Sequence, residues 1–281
     1  MRVTPTAGYA GAEITGLDLN HSIDETLASS LRDALDEHLV LFIPDQFLSI
    51  ASLKRATRVF GPILCCPYIE PCPEDPEVIA VLKEADECNI GVFGGDWHSD
   101  FSFLDEPPGG SLLQAVDVPA VGGDTLWSSQ VGAHERLPKA LGTLIAGRRA
   151  IHIGAPYGVS HAPDEHLSLS RSIQMTRGDP QADHPRHHPM VRTHPRSGRK
   201  ALFVNPTYTV AIEGLPESES RDVLTELFEH CLRPDFTVRH RWQPGDLCIW
   251  DNRMTMHYAI NDYDGARRLL YRTTFAGERP F

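Results

Sequence analysis

His98 and Asp100 stand two residues apart in Trp97-His98-Ser99-Asp100-Phe101, and His257 ends the distant stretch Trp250-Asp251-Asn252-Arg253-Met254-Thr255-Met256-His257. On an extended strand, residues i and i+2 leave the same face, so the first two side chains point together. A second imidazole delivered from a late strand would complete two histidines and one carboxylate around a metal. With three positions left open, that facial set is the mark of non-haem Fe(II) oxygenases. H-x-D alone is a weak signal, because a buried histidine beside a carboxylate is more often a structural pair. Three neighbours shift the balance. Pro107-Pro108 and an apolar strand ending at Val118 place the pair near a barrel mouth. Gly122-Gly123-Asp124-Thr125-Leu126-Trp127 sets a flexible turn before a hydroxyl, and Arg268 and Arg272 follow His257.

Those arginines have their own physics. Arg268, Leu270 and Arg272 share one face of a strand, with Leu269 and Tyr271 on the other. Guanidinium groups near a core are costly unless anions meet them. Arginine's planar fork suits a carboxylate, so a dicarboxylate cosubstrate and an acidic substrate would satisfy both. Pairing with an internal Asp or Glu stays open for either arginine.

The elements that must position these groups are partly readable. Leu27, Leu31, Leu35 and Leu39 recur every four residues and predict a helix over 22–39, with Ser22 and Glu25 as a capping box. Further helices are expected at 52–60, 136–146 and 218–232. Strand-like stretches lie at 38–44, 77–82, 111–118, 200–204, 236–242, 246–250 and 268–275, several bounded by Gly, Pro, Asn or Asp. Gln243-Pro244-Gly245-Asp246 marks a turn between two of them. This pattern predicts a mainly β chain with flanking helices, a sandwich or jelly roll. No repeat or low-complexity linker is visible, so 1–281 reads as one domain. Residues 152–198 are rich in Pro, His, Gly and Arg and read as a long loop, a lid or a subunit contact. The run His184-Pro185-Arg186-His187-His188 reads as loop surface, not as a metal site. Trp250 and Phe101 read as walls of the site or as ordinary core aromatics.

A net charge of −12 excludes a basic phosphate-binding face, so no nucleic acid is expected as partner. No run is apolar and long enough to span a membrane, and the N-terminus lacks a signal-peptide pattern; the expected location is the cytoplasm. The six cysteines form no C-x-x-C pair and read as reduced thiols.

The chain resembles the taurine dioxygenase family of Fe(II)- and 2-oxoglutarate-dependent oxygenases nearly end to end. The resemblance rests on Gly11-Ala12-Glu13-Ile14-Thr15-Gly16, W-H-S-D at 97–100, G-G-D-T-L-W at 122–127 and V-R-T-H-P at 191–195. It continues through A-L-F-V-N at 201–205, W-D-N-R at 250–253 and the tail from Arg267 to Arg272. It implies a double-stranded β-helix, the jelly-roll barrel, with iron held by His98, Asp100 and His257. It implies further that Thr125 and Arg268 bind the distal carboxylate of 2-oxoglutarate, whose keto-acid end takes two open metal positions, with O2 as second cosubstrate. Arg272 matches an arginine that holds the substrate's acidic group, and Tyr208 matches an aromatic lining that pocket. A homodimer or homotetramer is expected by the same analogy.

Departures from the family pattern are informative. Where taurine dioxygenase contacts its substrate through a histidine and a tyrosine, the matching positions here are Cys66 and Ile69. Its asparagine before W-H-x-D is matched by Gly94, preceded by Phe93. Small and apolar groups thus replace polar ones. The expected reaction is hydroxylation of a C–H bond in a small, acidic, partly hydrophobic molecule, with release of succinate and CO2. A taurine, alkyl-sulfonate or sulfate-ester dioxygenase is the alternative. A carboxylate at Asp100 leaves no halide site on the metal, which disfavours halogenation. A zinc hydrolase and a non-catalytic barrel binding a small acid are the more distant rivals.

Overall fold

The computed structural model describes residues 1–160 and 171–281. Its largest sheet has seven strands, in the order β1 (Arg2–Pro5), β2 (Ala12–Thr15), β3 (Val40–Ile43), β13 (Leu247–Asp251), β5 (Gly110–Asp117), β15 (Arg268–Phe275) and β4 (Ile79–Lys83). All neighbours are antiparallel except β2 and β3. Opposite it lies a three-stranded sheet, β12 (Thr237–His240), β6 (Thr125–Ser129) and β14 (Thr255–Ala259). A second small sheet joins β11 (Thr209–Ile212), β7 (Arg149–His152) and β8 (Arg186–Pro189), and β10 (Lys200–Leu202) pairs with β9 (Val191–Thr193). The fold is a jelly roll.

Period-two patterning explains the layering. On β3, Leu41 and Ile43 face outward, and on β13 so do Leu247 and Ile249. They pack under α1 (Glu25–His38) and α2 (Ile50–Thr57), whose Leu31, Leu35 and Leu53 complete that layer. The alternate residues Val40, Phe42, Cys248 and Trp250 face inward and meet Leu113, Trp127 and Leu270 in the barrel core. Such alternation is what a sheet buried on both faces requires. A third cluster lies under α3 (Gln130–Glu135), α4 (Lys139–Ile145) and α5 (Glu217–Cys231).

Several expectations are refined. The first helix is capped by Asp24, whose side chain accepts from the Leu27 N–H at 2.8 Å, not by a Ser22–Glu25 box. The 152–198 stretch is not a continuous loop. It includes β8, β9 and a short 3-10 turn at Pro180–Asp183. Inside it, His188 is buried on β8, packed against His152 and Phe203, so the run enters a strand at Arg186 and only His184 and Pro185 are exposed. Pro189 interrupts the alternation there, which hid the strand from a reading by periodicity. Residues 161–170 of that stretch lie outside the described residues.

Candidate active site

The H-x-D segment is extended but belongs to no strand. His98 makes an isolated antiparallel bridge with His257 of β14. The two exchange backbone hydrogen bonds, His98 N–H to His257 O at 3.1 Å and His257 N–H to His98 O at 2.8 Å. Their rings are thereby brought to 4.2 Å between centroids. After Asp100 the chain turns sharply, and Phe101 adopts φ +45°, an uncommon conformation for a residue with a side chain.

Donor atoms of His98, Asp100 and His257 lie within 4.8 Å of one another, and all three residues are buried. Both Nε2 atoms face Asp100 Oδ1, at 3.5 Å from His98 and 3.7 Å from His257. The His98 Nδ1 contacts the Asp96 carbonyl at 2.6 Å, and a carbonyl can only accept. The proton therefore sits on Nδ1, leaving the Nε2 lone pair bare and turned inward. His257 Nδ1 is buried without a partner. Burial, then its neighbour His98, depresses the His257 pKa well below the usual value, so this imidazole is neutral. Burial alone would raise the Asp100 pKa, but Arg272, His257 and His98 together hold it well below the carboxylate range. Two imidazoles whose Nε2 atoms face the same carboxylate oxygen, with that carboxylate anionic, fit Fe(II).

Asp100 is held from three sides. The Asn252 side chain brackets its backbone: Oδ1 accepts from Asp100 N–H at 2.6 Å and Nδ2 donates to its carbonyl at 3.0 Å. Arg272 Nη2 donates to Asp100 Oδ2 at 2.5 Å and to Ser111 Oγ at 2.9 Å. The oxygen facing the histidines is thus left free for the metal. Trp250 packs beside this site, its ring tilted against that of His257 at 5.0 Å and 5.4 Å under the Arg272 guanidinium.

Thr125 opens β6, and Arg268 opens β15 on the same inner face as Leu270 and Arg272. Arg268 Nη2 lies 3.5 Å from Thr125 Oγ1, while its Nε donates to the Gly123 carbonyl at 3.0 Å. Gly122 and Gly123 carry φ +85° and +70°, and a Cβ on Gly122 would sit 2.7 Å from the Asp262 carbonyl. Only glycine lets the turn close so near Arg268. Trp242 Nε1 donates to Thr125 Oγ1 at 3.0 Å, and Tyr263 hydrogen-bonds Arg268. A narrow cavity joins Thr125 and Arg268 to His98 and His257, with Phe93, Gly94 and Arg272 on its wall.

A much larger cavity of about 850 Å³ opens from His98 and Asp100 toward solvent. Phe93, Gly94, Phe101 and Tyr208 line it, as does Tyr157, which is hydrogen-bonded to Tyr208. Gly94 has φ +77°, and a Cβ there would touch His98 Cε1 at 3.4 Å. The expected substrate-contacting set does not stay together. Cys66, Ile69 and Arg272 border a separate small cleft, and the Cys66 thiol faces Thr274 Oγ1 at 3.3 Å. Arg272 is met by Asp100 because a buried guanidinium needs an anion and this carboxylate is the nearest one. Asn252, Trp242 and Tyr263 were not singled out by sequence. W-D-N-R was visible as a motif, but spacing gives no hint that an amide grips a backbone 152 residues away.

Comparisons with known proteins agree with this geometry. An alpha-ketoglutarate-dependent sulfate ester dioxygenase of Pseudomonas putida is 33% identical over 280 residues, covering 99% of this chain and 90% of its own. An alpha-ketoglutarate-dependent 2,4-dichlorophenoxyacetate dioxygenase of Cupriavidus pinatubonensis is 33% identical over 279 residues, covering 94% and 93%. The crystal structure of a taurine dioxygenase from Burkholderia xenovorans superposes with a TM-score of 0.82 at 30% identity, covering 99% of this chain and 92% of that one. The family model for taurine catabolism dioxygenase TauD, TfdA family, matches residues 2–274. The chain belongs to that family and is a dioxygenase that uses Fe(II), 2-oxoglutarate and O2.

Proposed function

We propose that this dioxygenase hydroxylates a small organic acid with an apolar body, at a carbon brought over His98, Asp100 and His257. The observation that carries this reading is the buried three-donor cluster at the foot of a cavity of about 850 Å³. That volume suits a molecule well above taurine in size. In this reading, His98 Nε2, His257 Nε2 and Asp100 Oδ1 hold Fe(II), and Thr125 and Arg268 take the distal carboxylate of 2-oxoglutarate. Asn252 and Arg272 orient Asp100. Phe93, Phe101 and Tyr208 exclude water and press the apolar body toward the metal. Bound there, iron and 2-oxoglutarate supply the oxidation: 2-oxoglutarate loses CO2 to give succinate, and one oxygen atom of O2 enters the C–H bond.

Where the hydroxylated carbon bears an ester oxygen, the product would break down to a carbonyl compound and the freed acid. The sulfate-ester relative favours this second outcome. Homo-oligomerisation belongs to the same reading through the family resemblance alone. A cytoplasmic location is supported by the absence of any disulfide among the six cysteines, and no described helix is long and apolar enough to cross a membrane.

The test is anaerobic addition of Fe(II) and 2-oxoglutarate, followed by a screen of alkyl sulfates, aryloxy acids and sulfonates. A visible charge-transfer band that shifts with an acid, and succinate formed on admitting O2, are expected. Absence of any 2-oxoglutarate-dependent band defeats the reading.

A further inference from the structure

We propose that Arg171 and Arg177 form an anion clamp for the substrate's acidic group on the wall of the large cavity; the inference rests on the function proposed above. Both side chains line the large cavity that reaches His98 and Asp100, whereas Arg272 does not. Arg272 lines the narrower cavity instead, where its Nη2 is bonded to Asp100 and Ser111.

Several half-buried or buried guanidiniums of the chain meet carboxylates. Arg192 pairs with Glu278, Arg253 with Asp251, and Arg267 with Glu84 and Asp117. Neither Arg171 nor Arg177 has a carboxylate partner among the described residues, in a chain of net charge −12. Arg177 Nη1 donates to the Pro156 carbonyl at 2.6 Å and its Nη2 reaches only the Met175 sulfur at 3.8 Å. The Arg171 Nε is buried with no hydrogen-bond partner among the described residues. Asp96, a further carboxylate on the cavity wall, is exposed, and no ion pair joins it to either arginine among the described residues. Two cations that share a cavity and have no ion pair among the described residues are an incomplete arrangement, one that an entering anion would complete.

The segment that carries them is pinned, so the clamp is formed before a ligand arrives. Ile69 bridges Met175, Glu70 N–H donates to the Gln174 carbonyl at 3.1 Å, and Thr176 N–H donates to that of Tyr68 at 2.8 Å. Ser172 donates to Glu87 Oε1 on the far side. Arg171 reaches over the loop before His98: a Cβ on Gly91 would lie 3.7 Å from its Nη2. Val92, Phe93, Phe101 and Met175 give the same wall an apolar stretch. The clamp therefore recognises a singly or doubly charged oxyanion at one end of an apolar body whose other end lies at the metal. A sulfate ester and a carboxylate both supply that oxyanion.

The test uses the full chain with Fe(II) and 2-oxoglutarate under argon, titrated with hexyl sulfate, phenoxyacetate and their neutral counterparts hexanol and phenoxyethanol. The shift of the charge-transfer band reads binding. In R171M/R177M the affinity for the preferred anion should fall roughly 10- to 100-fold, the worth of losing charge-assisted hydrogen bonds. Binding of the neutral counterpart should hardly change, and R171K/R177K should recover much of the loss. The arm with the larger loss names the anion. Equal anion affinity in parent and double variant overturns the clamp, as does failure of both anions to shift the band in the parent. So does loss of the anion in R272M with the double variant unaffected. Absence of the band itself in the parent is a different failure, that of the proposed function.

Discussion

The charged groups at the foot of the barrel are paired and anchored, whereas two on the wall above it have no ion pair among the described residues. At the foot, Asp100 is gripped by Asn252, Arg272 and the facing histidines, and Arg268 is bound to Gly123, Thr125 and Tyr263. Within the 152–198 stretch above it, two arginines lack anionic partners among the described residues, and two buried histidines are held neutral. Satisfied polar groups fix a geometry, and unsatisfied ones leave capacity for a ligand. The metal end is thus built for invariance of position, and the wall for recognition.

The sharpest way to break this contrast is at the foot. Asp100→Ala removes the anionic donor and leaves Arg272 buried without a partner. Turnover should fall by more than about 10³-fold, and the protein should lose several kcal/mol of stability. Fe(II) titration and denaturant unfolding read the two effects, and retention of iron would contradict the assigned donor set. Asn252→Ala keeps every proposed donor but strands the Asp100 N–H. Iron affinity should drop about 10- to 100-fold, as for loss of an outer-shell partner. An unchanged affinity would mean that the Asp100 backbone is held well enough without it.

The smallest effect belongs to the wall and is a pH effect. Burial, with a lesser contribution from charge on His188, lowers the His152 pKa to about 3, and burial lowers that of His188 to about 4. In the unfolded chain both bind a proton near pH 6.5. Between those values the unfolded state holds more protons, so stability is complete above about pH 6.5 and declines as pH falls toward 4 and 3. Hydrogen exchange should accordingly rise in β7 and β8 before it rises in β3 and β13. Simultaneous loss in both regions would remove the distinction.

Much of the barrel was legible because its strands alternate. The stretches 38–44, 111–118, 246–250 and 268–275 match β3, β5, β13 and β15 to within a residue or two. Alternation also put Arg268, Leu270 and Arg272 on one face. What stayed hidden has physical causes. The β8 strand carries a proline and two histidines, so no apolar period announced it. The Asp100–Arg272 pair joins groups 172 residues apart, and no local pattern encodes which anion a distant arginine will meet. Arg171 and Arg177 sit in a segment with weak periodicity, and that they share a cavity with His98 and Asp100 becomes visible only in the fold.

The reciprocal backbone bonds between His98 and His257 have a consequence for how the protein comes to be made. The ligands come from opposite halves of the chain, and their alignment is set by peptide groups, not by the ion. Closing so long a loop is entropically slow and must wait for β14 to dock on β6. Iron therefore cannot nucleate folding by gathering its ligands early. Metal uptake during refolding becomes a clock for the last step, barrel closure, and a chain truncated before β14 should carry no iron at any concentration of protein.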